Sequence, residues 1–137
     1  MNRLFTTAIA VVFFAEPCHA DIVHYSYAFS KQYVVSISDD MLEASPSWKD
    51  DAENPPLSAR KALTLATEMK DTLVKDTQEF KWALRSCTLQ PADGDKWYWL
   101  VRYEAEFQGA STGRPNHLRL VVLMDGLVIK PSVRDHK

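Results

Sequence analysis

Large apolar residues recur at every second position near the start of the chain. They are Val23, Tyr25, Tyr27 and Phe29 and, after a polar break at residues 30–32, Tyr33, Val35 and Ile37. A period of two places such side chains on one face of a β-strand and the intervening residues on the other. The pattern predicts a strand region over residues 21–37, either as one bent strand or as two.

A different period governs residues 57–74. Apolar side chains fall there at steps of three and four, namely Ala62, Leu65, Ala66, Met69 and Leu73. Ser58 is placed to cap the first helical turn, and the prolines just upstream cannot extend the helix backwards. A single apolar stripe means one buried side, so we expect this helix to lie across a sheet.

Strand patterns return after the helix, separated by turn residues. One strand region covers residues 80–90, a second 96–107 and a third 117–124. Gly94 and the pair Asp125-Gly126 indicate tight turns, the latter before a short strand at 127–130. Strands joined by turns, together with one helix, predict an α+β fold in which one main helix packs on one face of a curled antiparallel sheet, with a meander over residues 80–130.

The segment KWYWLVRYEAEF, residues 96–107, is rich in aromatic rings. One face of this strand takes Trp97, Trp99, Val101, Tyr103, Ala105 and Phe107, and the other takes Lys96, Tyr98, Leu100, Arg102, Glu104 and Glu106. Because the second face carries four charged side chains, we expect it to face solvent and the first to fill the core. Tyr98, Arg102 and Glu104 on the second face are therefore the candidate partner-binding residues.

Residues 1–20 have the layout of a secretory signal. Arg3 precedes an apolar stretch at residues 4–15, and Cys18 and Ala20 are small residues at the positions read before cleavage. This stretch is shorter than the roughly 18 residues that a membrane anchor needs. The expected product is residues 21–137, a single domain without a membrane span, secreted or periplasmic after cleavage near Ala20.

Cleavage at that position removes Cys18 and leaves Cys87 without an intramolecular partner. An exported domain with one thiol does not depend on disulfides, so its stability must come from its core. We expect Cys87 to be a buried small hydrophobe. A reactive thiol and an intermolecular disulfide are the alternatives.

The charge balance argues against nucleic acid as a partner. The formal net charge is −2, and Lys and Arg are scattered among acids without a basic patch. Residues 38–56 form an acidic, proline-containing loop with six acids against Lys49. We expect a solvated connection held by Trp48; cation binding is the alternative, although the spacing of a calcium loop is missing.

Sequence motifs for catalysis, metal binding and cofactor binding are missing. His24, His117 and His136 are far apart in sequence, and there is no HExxH, no CxxC and no phosphate-binding Gly-rich loop. A meeting of His24 and His117 in space stays open. Glu104 and Glu106 share a strand face, where acid–base chemistry is the alternative to a solvated surface. We expect no catalytic, metal or cofactor site and no enzymatic activity.

The order of a helix (LSARKALTLATEM), a strand (DGDKWYWLVRYE) and a strand ending in MDGLVIKP is similar to the small exported PepSY domains. The similarity covers about residues 56–131. It implies a non-catalytic exported module, in some relatives associated with restraining peptidases, and it carries no catalytic residues. A helix across an antiparallel sheet is also similar to cystatins, but QYVVS at residues 32–36 lacks the last Gly of their inhibitory loop and precedes the helix.

Two hypotheses of different class follow. The first is an exported binding or inhibitory module for a protein partner such as a peptidase or an envelope protein, with Tyr98, Arg102 and Glu104 or the loop at 108–116 as the contact surface. The second is a small ligand carrier or enzyme with a pocket between helix and sheet, lined by Trp97, Trp99 and Tyr103. A carrier needs an internal cavity, whereas a module fills that space with side chains.

Overall fold

The computed structural model describes residues 21–108 and 115–137. Its elements in chain order are β1 (Ile22–Ala28), β2 (Lys31–Ile37), α1 (Asp39–Ala44), α2 (Ala59–Leu73), β3 (Phe80–Pro91), β4 (Trp97–Phe107), β5 (His117–Leu123) and β6 (Ser132–Asp135). The predicted secretory signal at residues 1–20 lies outside the described residues, and so do residues 109–114 of the predicted loop.

Strands β3, β4 and β5 pair in that order as an antiparallel sheet, and α2 packs on its inner face. The helix begins where the Ser58 hydroxyl accepts a hydrogen bond from the backbone N–H of Lys61 at 3.2 Å. Ala62 and Ala66 are fully buried at the contact. Their small side chains let the rings of β4 approach the helix closely, which places the main core between α2 and this sheet.

A second antiparallel sheet has the order β1–β2–β6. The stretch expected as the last strand of the meander, residues 127–130, makes an isolated bridge between Val128 and Val122 after the turn at Gly126, whose φ is 89°. The chain then leaves the first sheet, and Ser132–Asp135 pairs with β2 instead. The sequence pattern therefore located the turn but not the destination of the chain that follows it.

A second, smaller core lies on the outer face of the β3–β4–β5 sheet. Tyr98, Val121 and Leu123 on that face are buried against Val35 and Ile37 of β2 and against Leu42 of α1. Apolar side chains on both faces of a sheet require a cover on both faces, because exposed apolar area is unfavourable in water. The β1–β2–β6 sheet and α1 supply the outer cover.

The expected fold class is wrong. Strands make up 44% and helices 19% of the structure, in two three-stranded antiparallel sheets with two short helices. It is thus mainly β, not an α+β fold of the PepSY or cystatin type with one main helix on one curled sheet. The error arose because β1, β2 and β6 form their own sheet, which a local strand pattern does not reveal.

Within the two described ranges, no helix is long and apolar enough to cross a bilayer.

Candidate functional site

An open groove lies at one end of the fold, and we call it the Phe29 groove. It has a volume of about 670 Å³ and lies between the β1–β2 turn, the end of α2 and the start of β3. Its apolar walls are formed mainly by Phe29, Tyr33, Leu73, Val74, Phe80 and Trp82, and the exposed side chains of Lys31 and Lys75 also line it. A groove of this size and polarity falls in the range of ligand-binding sites.

The turn that forms one wall has an unfavourable backbone. Phe29 and Ser30 are its two central residues, and both lie in the left-handed region, with φ of 47° and 62°. A two-residue hairpin turn requires this conformation, but Gly, Asn or Asp normally occupies it. A residue with a bulky side chain is less stable there by about 1–2 kcal/mol.

Two hydrogen bonds from distant segments hold this turn. The backbone N–H of Phe29 donates to Oδ1 of Asn116 at 2.9 Å, and the backbone N–H of His136 donates to the carbonyl of Ser30 at 2.7 Å. Strained backbone persists only where the surroundings fix it, and here the entrance to β5 and the segment after β6 do so. The Phe29 ring is therefore presented in a fixed position.

The Phe29 ring belongs to an exposed aromatic cluster. Its centroid lies 4.8 Å from that of Phe80 in an edge-to-face arrangement, and Phe80 lies 5.2 Å from Phe107. Phe29 is 48% exposed and Phe107 40% exposed. Phenylalanine rings have no polar atoms, so water at their surface is released when an apolar group covers them.

The opposite wall is fixed by hydrogen bonds within the link between α2 and β3. The backbone N–H of Trp82 donates to the Asp76 carboxylate at 2.9 Å, and the backbone N–H of Thr77 donates to the carbonyl of Phe80 at 2.8 Å. The Thr77 hydroxyl in turn accepts from the backbone N–H of Phe80 at 3.0 Å. Both walls are thus organised by contacts within the protein itself.

The loop predicted as a contact surface emerges beside this groove. Gln108 donates its backbone N–H to the carbonyl of Glu79 at 3.0 Å, and the carbonyl of Asn116 accepts from the backbone N–H of Ala105 at 2.9 Å. Residues 109–114 themselves lie outside the described residues. The two anchors place the start and the end of the loop at the groove.

The structure does not bring the three predicted site residues onto one exposed surface. Tyr98 is only 3% exposed and belongs to the outer core. Arg102 and Glu104 are half-buried and form an ion pair at 3.4 Å. On the face of β4 that was expected to contact solvent, Tyr98 is therefore covered by the second sheet, whereas Arg102 and Glu104 form a polar surface.

Sequence parity also missed Arg85. The β3–β4 register shifts between Leu84 and Ser86, which makes Arg85 the extra residue of a bulge. Its guanidinium lies 3.8 Å from the Glu104 carboxylate and 2.8 Å from that of Glu106. These two glutamates are thus engaged in ion pairs at the surface.

The space between helix and sheet, which the alternative hypothesis treats as a pocket, is occupied by rings. The indole N–H of Trp99 donates to the carbonyl of Leu57 at 2.9 Å, and the Tyr103 hydroxyl shares a hydrogen bond of 2.8 Å with Thr67. Both residues are buried in the main core. Trp97 lies elsewhere, in an edge-to-face contact with Trp48 at 5.2 Å.

The two histidines considered as a pair contact different tyrosines. His24 shares a hydrogen bond of 3.0 Å with the Tyr98 hydroxyl, whereas His117 packs edge-to-face on Tyr27. Burial, and secondarily the positive charge of Arg119, lowers the pKa of His24 below its ordinary value. The neutral form of His24 is therefore favoured, and its ring is a structural partner of Tyr98.

Cys87 is a free, half-buried thiol packed against the main core. Burial raises its pKa, so the thiolate that acts as nucleophile and metal ligand is disfavoured. Among the residues that the structure describes, no group of three or more His, Cys, Asp or Glu side chains is arranged to hold a metal ion.

Comparison of the chain with protein-family models, with curated proteins and with solved structures found no match. The proposal for its function therefore rests on the Phe29 groove and on the amino-acid sequence.

Proposed function

We propose that this protein is an exported, non-catalytic binding module whose Phe29 groove takes an apolar segment of a protein partner. A peptidase or an envelope protein is the kind of partner that we propose for an exported module. Export rests on the layout of residues 1–20, with its short apolar stretch after Arg3.

The observation that carries the proposal is the conformation of Phe29. A phenylalanine at φ 47° destabilises the hairpin turn, and its ring remains 48% exposed, so burial returns only part of that free energy. Gly or Asn at this position would favour folding. A residue that folding disfavours, held at the rim of a groove, is accounted for by a role in binding.

The groove walls define the chemistry of the occupant. Edge-to-face rings at Phe29 and Phe80 offer apolar area with little rotamer freedom, which favours an aliphatic or aromatic side chain of the partner. Lys31, Lys75 and Glu79 line the same groove, and Lys31 is paired with Asp135 at 3.2 Å. Lys75 favours a partner segment with a carboxylate next to its apolar residue, because opposite charges at the edge of an interface steer association, whereas Glu79 opposes it.

The filled space between α2 and the sheet argues against the carrier hypothesis. Trp99 and Tyr103 bond to partners within the chain and pack in the core, so they do not line an open pocket. The walls of the Phe29 groove are mainly apolar, which favours binding of an apolar segment.

The test is selection from a random peptide library against the full protein purified after export, whose mass is expected to correspond to a chain starting at Asp21. We expect enriched peptides to share an apolar residue near an acidic one. Phe29→Asn should weaken their binding about tenfold or more, because Asn accepts the left-handed turn but removes the ring.

Leu127→Asn is the matched control, because Leu127 is also 48% exposed and does not line the groove. It should leave affinity unchanged. Peptides that bind equally well to the Phe29→Asn protein, or a selection without enrichment, would exclude the groove as the binding site.

A further inference from the structure

A second, smaller pocket lies apart from the Phe29 groove, at the start of β4. The indole rings of Trp48 and Trp97 form two of its sides, with centroids 5.2 Å apart and planes inclined by 68°. Asp50 and Ala52 also line it, and its volume is about 230 Å³. No motif predicted this pocket, because Trp48 comes from the acidic loop and Trp97 from a strand.

The Trp48 ring is fixed before any ligand arrives. Its backbone N–H donates to the carbonyl of Asp95 at 2.9 Å, and its indole N–H donates to the carbonyl of Ala52 at 2.9 Å. The Lys96 ammonium donates to the carbonyl of Ser45 at 2.5 Å and ties the preceding part of the loop to the same turn. The hydrogen bonds of Trp48 use its backbone N–H and its indole N–H, and they do not involve the faces of its ring.

The indole rings, and Asp50 among the charged side chains, favour a cation in this pocket. Residues 38–56 carry six acids against Lys49, and Asp50 of this segment lines the pocket. Lys49 also lines it and opposes a cation, so the two neighbouring residues have opposite effects. The face of an indole ring carries partial negative charge and attracts cations more strongly than other side-chain rings do.

We propose that the Trp48–Trp97 pocket binds the quaternary ammonium group of a small organic cation. A methylated ammonium is weakly hydrated, so it enters a pocket walled by indoles with a small loss of hydration and gains attraction from the rings and from Asp50. The volume accommodates such a group. This site is independent of the Phe29 groove and of the partner proposed for it.

The test is a titration of the full protein with choline, followed by NMR of the indole N–H signals. Its uncharged carbon isostere, 3,3-dimethylbutan-1-ol, is the control for apolar burial alone. Choline should bind about fivefold or more tightly than the isostere. Equal affinities, or no saturable shift of the Trp48 and Trp97 signals, would overturn the proposal.

Charge variants separate a cation site from a merely apolar hollow. Asp50→Asn should weaken choline binding and Lys49→Gln should strengthen it, whereas binding of the isostere should not change in either variant. Trp48→Leu keeps an apolar wall and should abolish the preference for choline. If both charge variants bind choline as the unmodified protein does, the electrostatic argument fails.

Phosphocholine distinguishes the source of the group. Binding weaker than that of choline supports a free cation, because it shows that repulsion of the phosphate by Asp50 outweighs its attraction to Lys49. Binding tighter than that of choline would keep the ammonium site and overturn its assignment to a free cation in favour of a lipid headgroup.

Discussion

The buried rings of β4 and the exposed rings of the aromatic cluster around Phe29 are similar in chemistry but differ in exposure. Tyr98, Trp99 and Tyr103 are buried, and each polar atom at their tips has a partner within the chain. Phe29 and Phe107 are largely exposed and present apolar area to water. The first group is accounted for by folding and the second is not.

Exposed rings are better candidates for function in this molecule than the buried rings of β4. Aromatic density in the sequence peaks in β4, but those side chains complete two cores, one on each face of the sheet. The groove depends on Phe29 from the β1–β2 turn and on Phe80 from the start of β3. An aromatic residue is a better candidate for a binding role when its backbone conformation or its exposure lowers the stability of the fold.

The largest expected effect comes from removing a buried ring. Trp99→Ala should lower the free energy of unfolding by about 3–5 kcal/mol, because it opens a cavity and leaves the carbonyl of Leu57 without its donor. Phe107→Ala, at the exposed cluster, should lower it by about 1 kcal/mol or less. Urea denaturation of both variants measures the difference, and similar losses would erase the distinction between the two groups.

A smaller change, and a gain in stability instead of a loss, is expected at the β1–β2 turn. Ser30→Gly relieves one left-handed residue and leaves the Phe29 ring in place, so it should raise the free energy of unfolding by about 1 kcal/mol. Urea denaturation measures the gain. The matched change Ser132→Gly, at an exposed strand position, should instead be neutral or destabilising. A loss of stability in Ser30→Gly would mean that the turn is not strained.

The smallest effect concerns the partner of a buried ring and depends on pH. Burial lowers the pKa of His24 below 6.5, so the unfolded chain takes up a proton more readily than the folded chain in the interval between the two values. Stability should therefore be lost as pH falls through 6.5 towards the lowered pKa, and should be fully present above it.

His24→Gln should flatten that dependence, measured as the urea midpoint between about pH 5 and 8. The exposed His136→Gln is the matched control for the substitution. Parallel curves for the His24→Gln variant and the unmodified protein would show that protonation of His24 is not linked to folding.

Sequence reasoning succeeded where a signal is local. Ser58 and the apolar stripe located α2 between Ala59 and Leu73, and Asp125-Gly126 located a turn. It failed for the β1–β2–β6 sheet, because β6 pairs with a strand about a hundred positions away. The apolar pair Val121 and Leu123 on the face assumed to be wet was the available sign that a second layer must cover it.

The site was harder to predict than the fold. Tyr98 was assigned to solvent by parity, since its neighbours Arg102 and Glu104 are charged, yet the outer core covers it. Phe29 was read as a strand residue, and its left-handed φ has no signature in the apolar pattern. The groove forms only where the end of β1, the end of α2 and the start of β3 meet, so no local sequence pattern predicts it.

The β2–β6 pairing has a consequence for the order of events during folding. It joins Lys31 to Asp135, which are 104 positions apart. The sheet therefore cannot be completed until Asp135 has been synthesised. Contacts between such distant positions form late and slow the search for the native state. A chain built in this way stays open during synthesis until residues 132–135 are available, a property that would suit the export proposed above.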